Sequence, residues 1–217
     1  MTTKKEKTPP TYHPVEERMN VITHALGLIL SIIALVLLIL KSANFDGYRP
    51  IFSFTVFGAS LVLLYAASTF YHSTEHTKLR HYLNIADHAA IYILIAGTYT
   101  PFALITFRQH NGWFVFFLIW GIALAGTLLK LFFIGRFNVL STILYIAMGW
   151  IVIFYIKPLI TIFDNWGIFW LFAGGFFYTT GAVIFLLEKL KFNHAIFHFF
   201  VLAGSFCHFI AIYFYVL

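Results

Sequence analysis

The chain has 217 residues, of which 61% are hydrophobic, 20% aromatic and only 10% charged, and its formal net charge is +6. Soluble domains average about 25% charged residues, so this composition excludes a soluble fold, and the aromatic content excludes an intrinsically disordered chain. A single cysteine, Cys207, excludes an intrachain disulfide scaffold.

What remains is an all-α integral membrane protein. A spanning helix needs roughly 20 apolar residues, and the chain supplies seven such runs, at 21–41, 50–71, 84–106, 112–131, 138–157, 167–187 and 194–216. Residues 1–15 read as a polar, proline-containing disordered tail, and 16–217 as the seven-helix domain. The first apolar run is too long for a signal-peptide core and has no small-residue cleavage site, so it is expected to stay as a span. Continuous apolar runs, rather than short alternating ones, disfavour a membrane barrel. The boundary between spans four and five is the faintest, marked only by Lys130 and Gly135-Arg136. Thr98 and Pro101 are expected to kink span three, and Gly121, Gly126, Gly174, Gly175 and Gly181 to be close-packing positions. Most of the 27 phenylalanines are expected to face lipid.

Lysine and arginine set the orientation. With the N-terminus inside, the inner segments hold Lys4, Lys5, Lys7, Arg18, Lys78, Arg80, Lys130, Arg136, Lys189 and Lys191, whereas the outer ones hold only Lys41, Arg49, Arg108 and Lys157. The positive-inside rule then predicts a cytoplasmic N-terminus and, after seven spans, a C-terminus outside. The basic residues punctuate apolar runs instead of clustering on a polar face. They point to anionic lipid rather than to a nucleic-acid partner.

Polar groups at membrane depth are costly and mark function. Ser68 and His72 close span two, Asp87 and His88 open span three, and His194 and His198 open span seven. Both the Ser68/His72 and the His194/His198 pairs are four apart, so each shares one helix face. The alternating direction of the spans brings Ser68, His72, Asp87, His194 and His198 to one level near the inner face. Three neutral imidazoles suit Zn2+, with a fourth position open to water, though imidazole serves other borderline transition metals as well. Asp87 can hold that water or act as general base, and Ser68 can donate to a developing oxyanion. Together these parts suffice for metal-assisted hydrolysis of an amide or ester.

Glu17, Asn20, His24, Gly27 and Ser31 form a polar or small stripe on the inward half of span one. It reads either as a packing seam or as a set of groups, Glu17, Asn20 and His24, supporting the metal or touching a substrate headgroup. His24 is not expected to be a fourth ligand, because three histidines already leave a reactive position open. His88 points about 100° away from Asp87 on the same helix. His208 lies about 15 Å beyond His198 and cannot join the same metal, while Cys207 reads as a small buried hydrophobe. His13, His76, His81 and His110 are expected in solvated tail or loop positions.

The stretches Glu17-Arg-Met-Asn20-Val-Ile-Thr-His24-Ala-Leu-Gly27, Ser68-Thr-Phe-Tyr-His72-Ser, Leu83-Asn-Ile-Ala-Asp87-His88-Ala-Ala-Ile-Tyr92, Ala96-Gly-Thr-Tyr-Thr-Pro101 and His194-Ala-Ile-Phe-His198 through Ser205 resemble the hemolysin III branch of the progestin and adipoQ receptor (PAQR) family. That family sits within a membrane-hydrolase superfamily that includes the alkaline ceramidases. The resemblance runs from the first span to the last. It implies seven helices with a cytoplasmic N-terminus, zinc held by His72, His194 and His198, Asp87 touching the metal through water, and Ser68 nearby. It implies a ceramidase-like amide hydrolase of the bacterial cell membrane, acting on a membrane lipid and linked to lipid homeostasis. Two alternatives stand beside it: a lipid-state sensor or receptor in which the same residues hold a structural zinc, and a hemolysin-like pore, suggested by the family name alone, which the lack of an amphipathic pore segment disfavours. Phe197 stands where many relatives have Trp.

Overall fold

The structure, a computed structural model, describes residues 10–133 and 138–217. Lys4, Lys5, Lys7 and Arg136, all counted in the inner charge total, lie outside the described residues.

Seven helices are long and apolar enough to cross a membrane: α1 Pro14–Ser42, α2 Tyr48–Ser73, α3 Thr77–Thr106, α4 Gly112–Phe132, α5 Val139–Ile162, α6 Asn165–Leu186 and α7 Asn193–Tyr215. No strand occurs among the described residues. Each expected span falls on one of these helices, and the protein is a multi-pass membrane protein. Consecutive helices pair from α1 to α4, α6 pairs with α7, and α1 returns against α7. Helix α5 packs more lightly, against α3, α4 and α6.

The largest differences from the sequence reading are at helix starts. Helix α1 begins at Pro14, not at residue 21, with His13 as a side-chain cap accepting from the Val15 N–H and Pro at the first helical position. Helix α3 begins at Thr77, where His76 caps by accepting from the Leu79 N–H. His13 and His76 are exposed, as expected, but each holds a helix end. Asp87 therefore stands ten residues, about 15 Å, into α3 rather than one turn.

The kink expected near Pro101 takes the form of a π-helical turn over Phe102–Thr106, with Phe107 N–H bonded to Phe102 O at 2.7 Å. Helix α5 was expected to end at Lys157 but runs to Ile162. Its middle tightens to a 3-10 helix over Trp150–Tyr155, ahead of Pro158, which has no N–H to offer. The Tyr99 hydroxyl repairs the ladder there, donating to Gly149 O at 2.7 Å and accepting from Val152 N–H at 2.8 Å. Irregular backbone at membrane depth persists only when such partners exist.

Close packing at glycine holds at Gly126 against Tyr92, at Gly174 against His208 and at Gly181 against Phe200. A Cβ at Gly175 would meet Trp150 at ordinary contact distance, and one at Gly121 would meet nothing within 4 Å. Gly121 is thus a correction: it lies on the exposed face of α4. Among the described phenylalanines, only Phe54, Phe57, Phe102, Phe107 and Phe163 are buried, in keeping with a lipid-facing majority.

Candidate metal centre

Helices α2 and α7 place three buried histidines in one cluster. His72 comes from the end of α2, and His194 and His198 come from the first two turns of α7. One ligand atom from each lies within 4.8 Å of the others. The Nε2 atoms of His72 and His194 are 3.1 Å apart. At a tetrahedral zinc with Zn–N bonds of 2.0–2.1 Å, two ligand nitrogens stand about 3.3 Å apart, so the donor set fits such an ion.

The opposite ring nitrogens are all engaged on the outside. His72 Nδ1 donates to Glu17 Oε2 at 3.0 Å. His194 Nδ1 faces the Tyr12 hydroxyl at 3.2 Å, and His198 Nδ1 faces Thr23 Oγ1 at 3.5 Å. The Thr23 hydroxyl gives its own proton to Met19 O at 2.8 Å, so it accepts from the ring. A bound ion would require the tautomer with Nδ1–H turned outward on each ring, which these outer partners can accept, leaving the Nε2 lone pairs to the ion. Outer hydrogen bonds of this kind fix tautomer and ring orientation at metal sites.

Helix α1 supplies most of that outer layer, and its buried stripe includes Asn20, His24, Gly27 and Ser31. Glu17 also pairs with Arg80, whose guanidinium lies over the Tyr71 ring and bonds to Tyr71 O and Thr74 O. Asn20 Nδ2 lies 3.4 Å from Glu17 Oε2 and 3.5 Å from His72 Nδ1. His24 is not in the three-histidine cluster. Its ring stacks on His198 with centroids 3.5 Å apart, and both its nitrogens lack partners among the described residues. The far half of the stripe is packing: Gly27 leaves room for the Tyr65 ring, and Ser31 bonds back to Leu28 O.

Asp87 and Ser68 are both buried and adjacent, with the Ser68 hydroxyl near the carboxyl but short of hydrogen-bond geometry. Asp87 lies close to His72, though its oxygens are not among the atoms within 4.8 Å of one another. His88 turns away from the cluster toward Phe185. His208 is remote, held by Leu171 O at 3.1 Å, and Cys207 beside it is buried.

A cavity of about 150 Å³ opens beside the cluster, between α3, α5, α6 and α7. Asp87, His194 and His198 line one end, and apolar side chains such as Ile95, Phe102 and Val152 line the rest.

Four groups were missed in the sequence. Tyr12, in the segment read as disordered tail, lies on the cluster with its ring centroid 4.6 Å from that of His194. Burial pushes its phenol well above the ordinary tyrosine value, so it stays protonated. Glu16 accepts the His194 backbone N–H at 3.2 Å. It thereby caps a helix whose own cap residue, Phe192, sits at φ 60° and offers no side-chain bond. Arg80 and Lys130 were counted as loop charges, yet Arg80 braces Glu17 and Lys130 is 1% exposed. The capping of α7 by a residue about 180 positions away has no local signal, but a lone lysine in the run Thr127-Leu-Leu-Lys130-Leu-Phe-Phe does have one.

The outer layer is testable. Glu17→Gln removes the carboxylate that orients His72 and should weaken metal affinity about 10–100-fold, measured by competition with a chelator. Unchanged affinity would show that Glu17 serves only Arg80.

The haemolysin-III related family model matches residues 12–209. The chain is 50% identical over 202 residues to Hemolysin-3 of Bacillus cereus, covering 93% of this chain and 92% of that protein. It is 46% identical over 200 residues to the Hemolysin-3 homolog of Bacillus subtilis, with 92% and 94% covered. It is also 29% identical over 208 residues to the human monocyte to macrophage differentiation factor, with 91% and 83% covered. The match runs from before α1 into α7 and takes in every residue of the histidine cluster, and the chain belongs to the haemolysin-III related family.

Proposed function

We propose that this protein is a zinc-dependent hydrolase of a lipid amide or ester, working at the cytoplasmic level of the cell membrane. The observation that carries this reading is a metal-ligand cluster with outward-tied Nδ1 atoms that opens onto an apolar cavity beside a buried carboxyl and hydroxyl. A structural ion would need the cluster but not the cavity.

A bound Zn2+ supplies a Lewis acid and a water of lowered pKa. His72, His194 and His198 hold it, with Glu17, Tyr12 and Thr23 fixing their rings. The acyl chain lies in the cavity, and its apolar wall excludes bulk water from the scissile bond. Asp87 takes the proton of the attacking water and passes it to the leaving amine or alcohol. Ser68 donates a hydrogen bond to the oxygen that gains charge. Asn20 keeps Glu17 and His72 in register, and His24 packs behind His198 at the cavity wall.

The test is release of fatty acid from a lipid amide by protein purified in nanodiscs, with and without a chelator. The hydrolase reading expects turnover that the chelator removes. A chelator that lowers thermal stability while no lipid amide or ester is ever cleaved would favour the structural-zinc sensor instead.

A further inference from the structure

Among the described residues, Lys130 is a buried charge that the proposed reaction does not use. It stands in the last turn of α4 and is 1% exposed. A lysine at the end of a membrane helix ordinarily runs its stem along apolar surface and leaves its ammonium in water. Lys41 shows the other ordinary solution, giving its ammonium to Tyr213 O in the last turn of α7 and to Leu217 O beyond it. Lys130 does neither. Among the described residues it has no hydrogen-bond partner, and both ion pairs belong to Glu17. It instead forms part of the cavity wall, beside His88 and with Ser141 and Thr142.

Asp87, at the metal end, lines the same cavity. From there the cavity follows α3 from His88 to Phe102, about 21 Å at the helical rise. This exceeds one leaflet's share, about 15 Å, of a hydrocarbon core about 30 Å thick. A long apolar channel with Lys130 at its head, unpaired among the described residues, fits an amphiphile better than a small ion. A buried cation without a counter-charge is costly, and an anion arriving from the ligand offsets that cost.

We propose that Lys130 is an anion subsite, binding the ionised phosphate or carboxylate of an acidic lipid whose chain occupies the cavity. As a binding site this stands without catalysis. As a statement of substrate class, acidic rather than neutral lipid, it rests on the hydrolase reading.

The test uses full-length, metal-stripped protein in nanodiscs of zwitterionic lipid, with three probes: oleoyl lysophosphatidate, oleoyl lysophosphatidylcholine and inorganic phosphate. The wild type should bind the lysophosphatidate at least about tenfold tighter than the zwitterionic lipid, a difference of one factor of ten or more in Kd. Lys130→Gln and Lys130→Met should lose that preference and Lys130→Arg should keep it. Inorganic phosphate should not displace the lysophosphatidate. Equal binding of the two lipids by wild type overturns the proposal whether or not the variants fold, and so does a preference that survives in Lys130→Gln or Lys130→Met. Displacement by inorganic phosphate overturns the assignment to a lipid. Absence of turnover on every lipid once the same protein is reloaded with zinc, alongside intact Lys130-dependent binding, would contradict the hydrolase reading alone.

Discussion

His194→Ala and His198→Ala should each purify with close to no bound metal, whereas the wild type should carry about one equivalent per chain. Three imidazoles from two helices make the cluster. Removing one leaves two protein ligands, fewer than the three that catalytic zinc sites retain. Helix α7 should survive the first change, because its start is held by Glu16 accepting the backbone N–H of residue 194, which alanine keeps. The second change removes the ring on which His24 stacks and leaves a hole against α1, so it should lower thermal stability as well. Elemental analysis of monodisperse protein decides the matter, with helix content measured alongside. Metal retained at one equivalent in both variants would place the ion elsewhere.

Asp87→Asn should lower turnover by about 10²–10⁴-fold, the usual worth of a positioned general acid–base, while leaving metal content at the wild-type level. The split follows from placement. Asp87 lies near His72 but outside the group of ligand atoms that lie within 4.8 Å of one another, so the amide variant removes proton transfer and spares the ligand set. Ser68→Ala should cost about 10²–10³-fold, as loss of one oxyanion donor does, again with metal retained. Loss of metal in Asp87→Asn would make Asp87 a ligand rather than a base.

The pattern of apolar runs made the seven helices legible, because length and hydropathy alone decide what crosses a bilayer. The i, i+4 spacings and the alternation of span direction were enough to bring His72 and His194 to one level, and the structure sets their Nε2 atoms 3.1 Å apart. Helix starts were less legible. Thr77 and Arg80 are polar and read as loop, and Glu16 and Glu17 stand ahead of the first apolar run, yet caps at His13 and His76 extend α1 and α3 past the apolar runs. The outer layer of the site was legible only where it had helical spacing. Glu17, Asn20 and His24 share one face of α1 and were singled out, whereas Tyr12 precedes the helix and reaches His194 through a contact that no sequence period encodes. Lys130 was misplaced because a charge between two apolar runs looks like a loop whether it faces water or a cavity.

Arg80 and Glu17 also explain why an apolar bundle keeps an ion pair at this end. Arg80 holds Glu17, the two turns flanking the α2–α3 connection and Pro10 of the N-terminal segment. The histidines from α2 and α7 are therefore tied through α1 and α3, and the four helices meet at the cluster. Helix α5, packed more lightly, borders the cavity, and in the proposed reaction it is the element beside which a lipid chain would enter.

The most direct measurement is a zinc titration of metal-stripped wild-type protein in nanodiscs containing a lipid amide, with bound metal and released fatty acid followed together. Turnover should rise in proportion to bound zinc and level off at one equivalent per chain. Full occupancy with no fatty acid released, or equal release before any zinc is added, would contradict a zinc-dependent hydrolase.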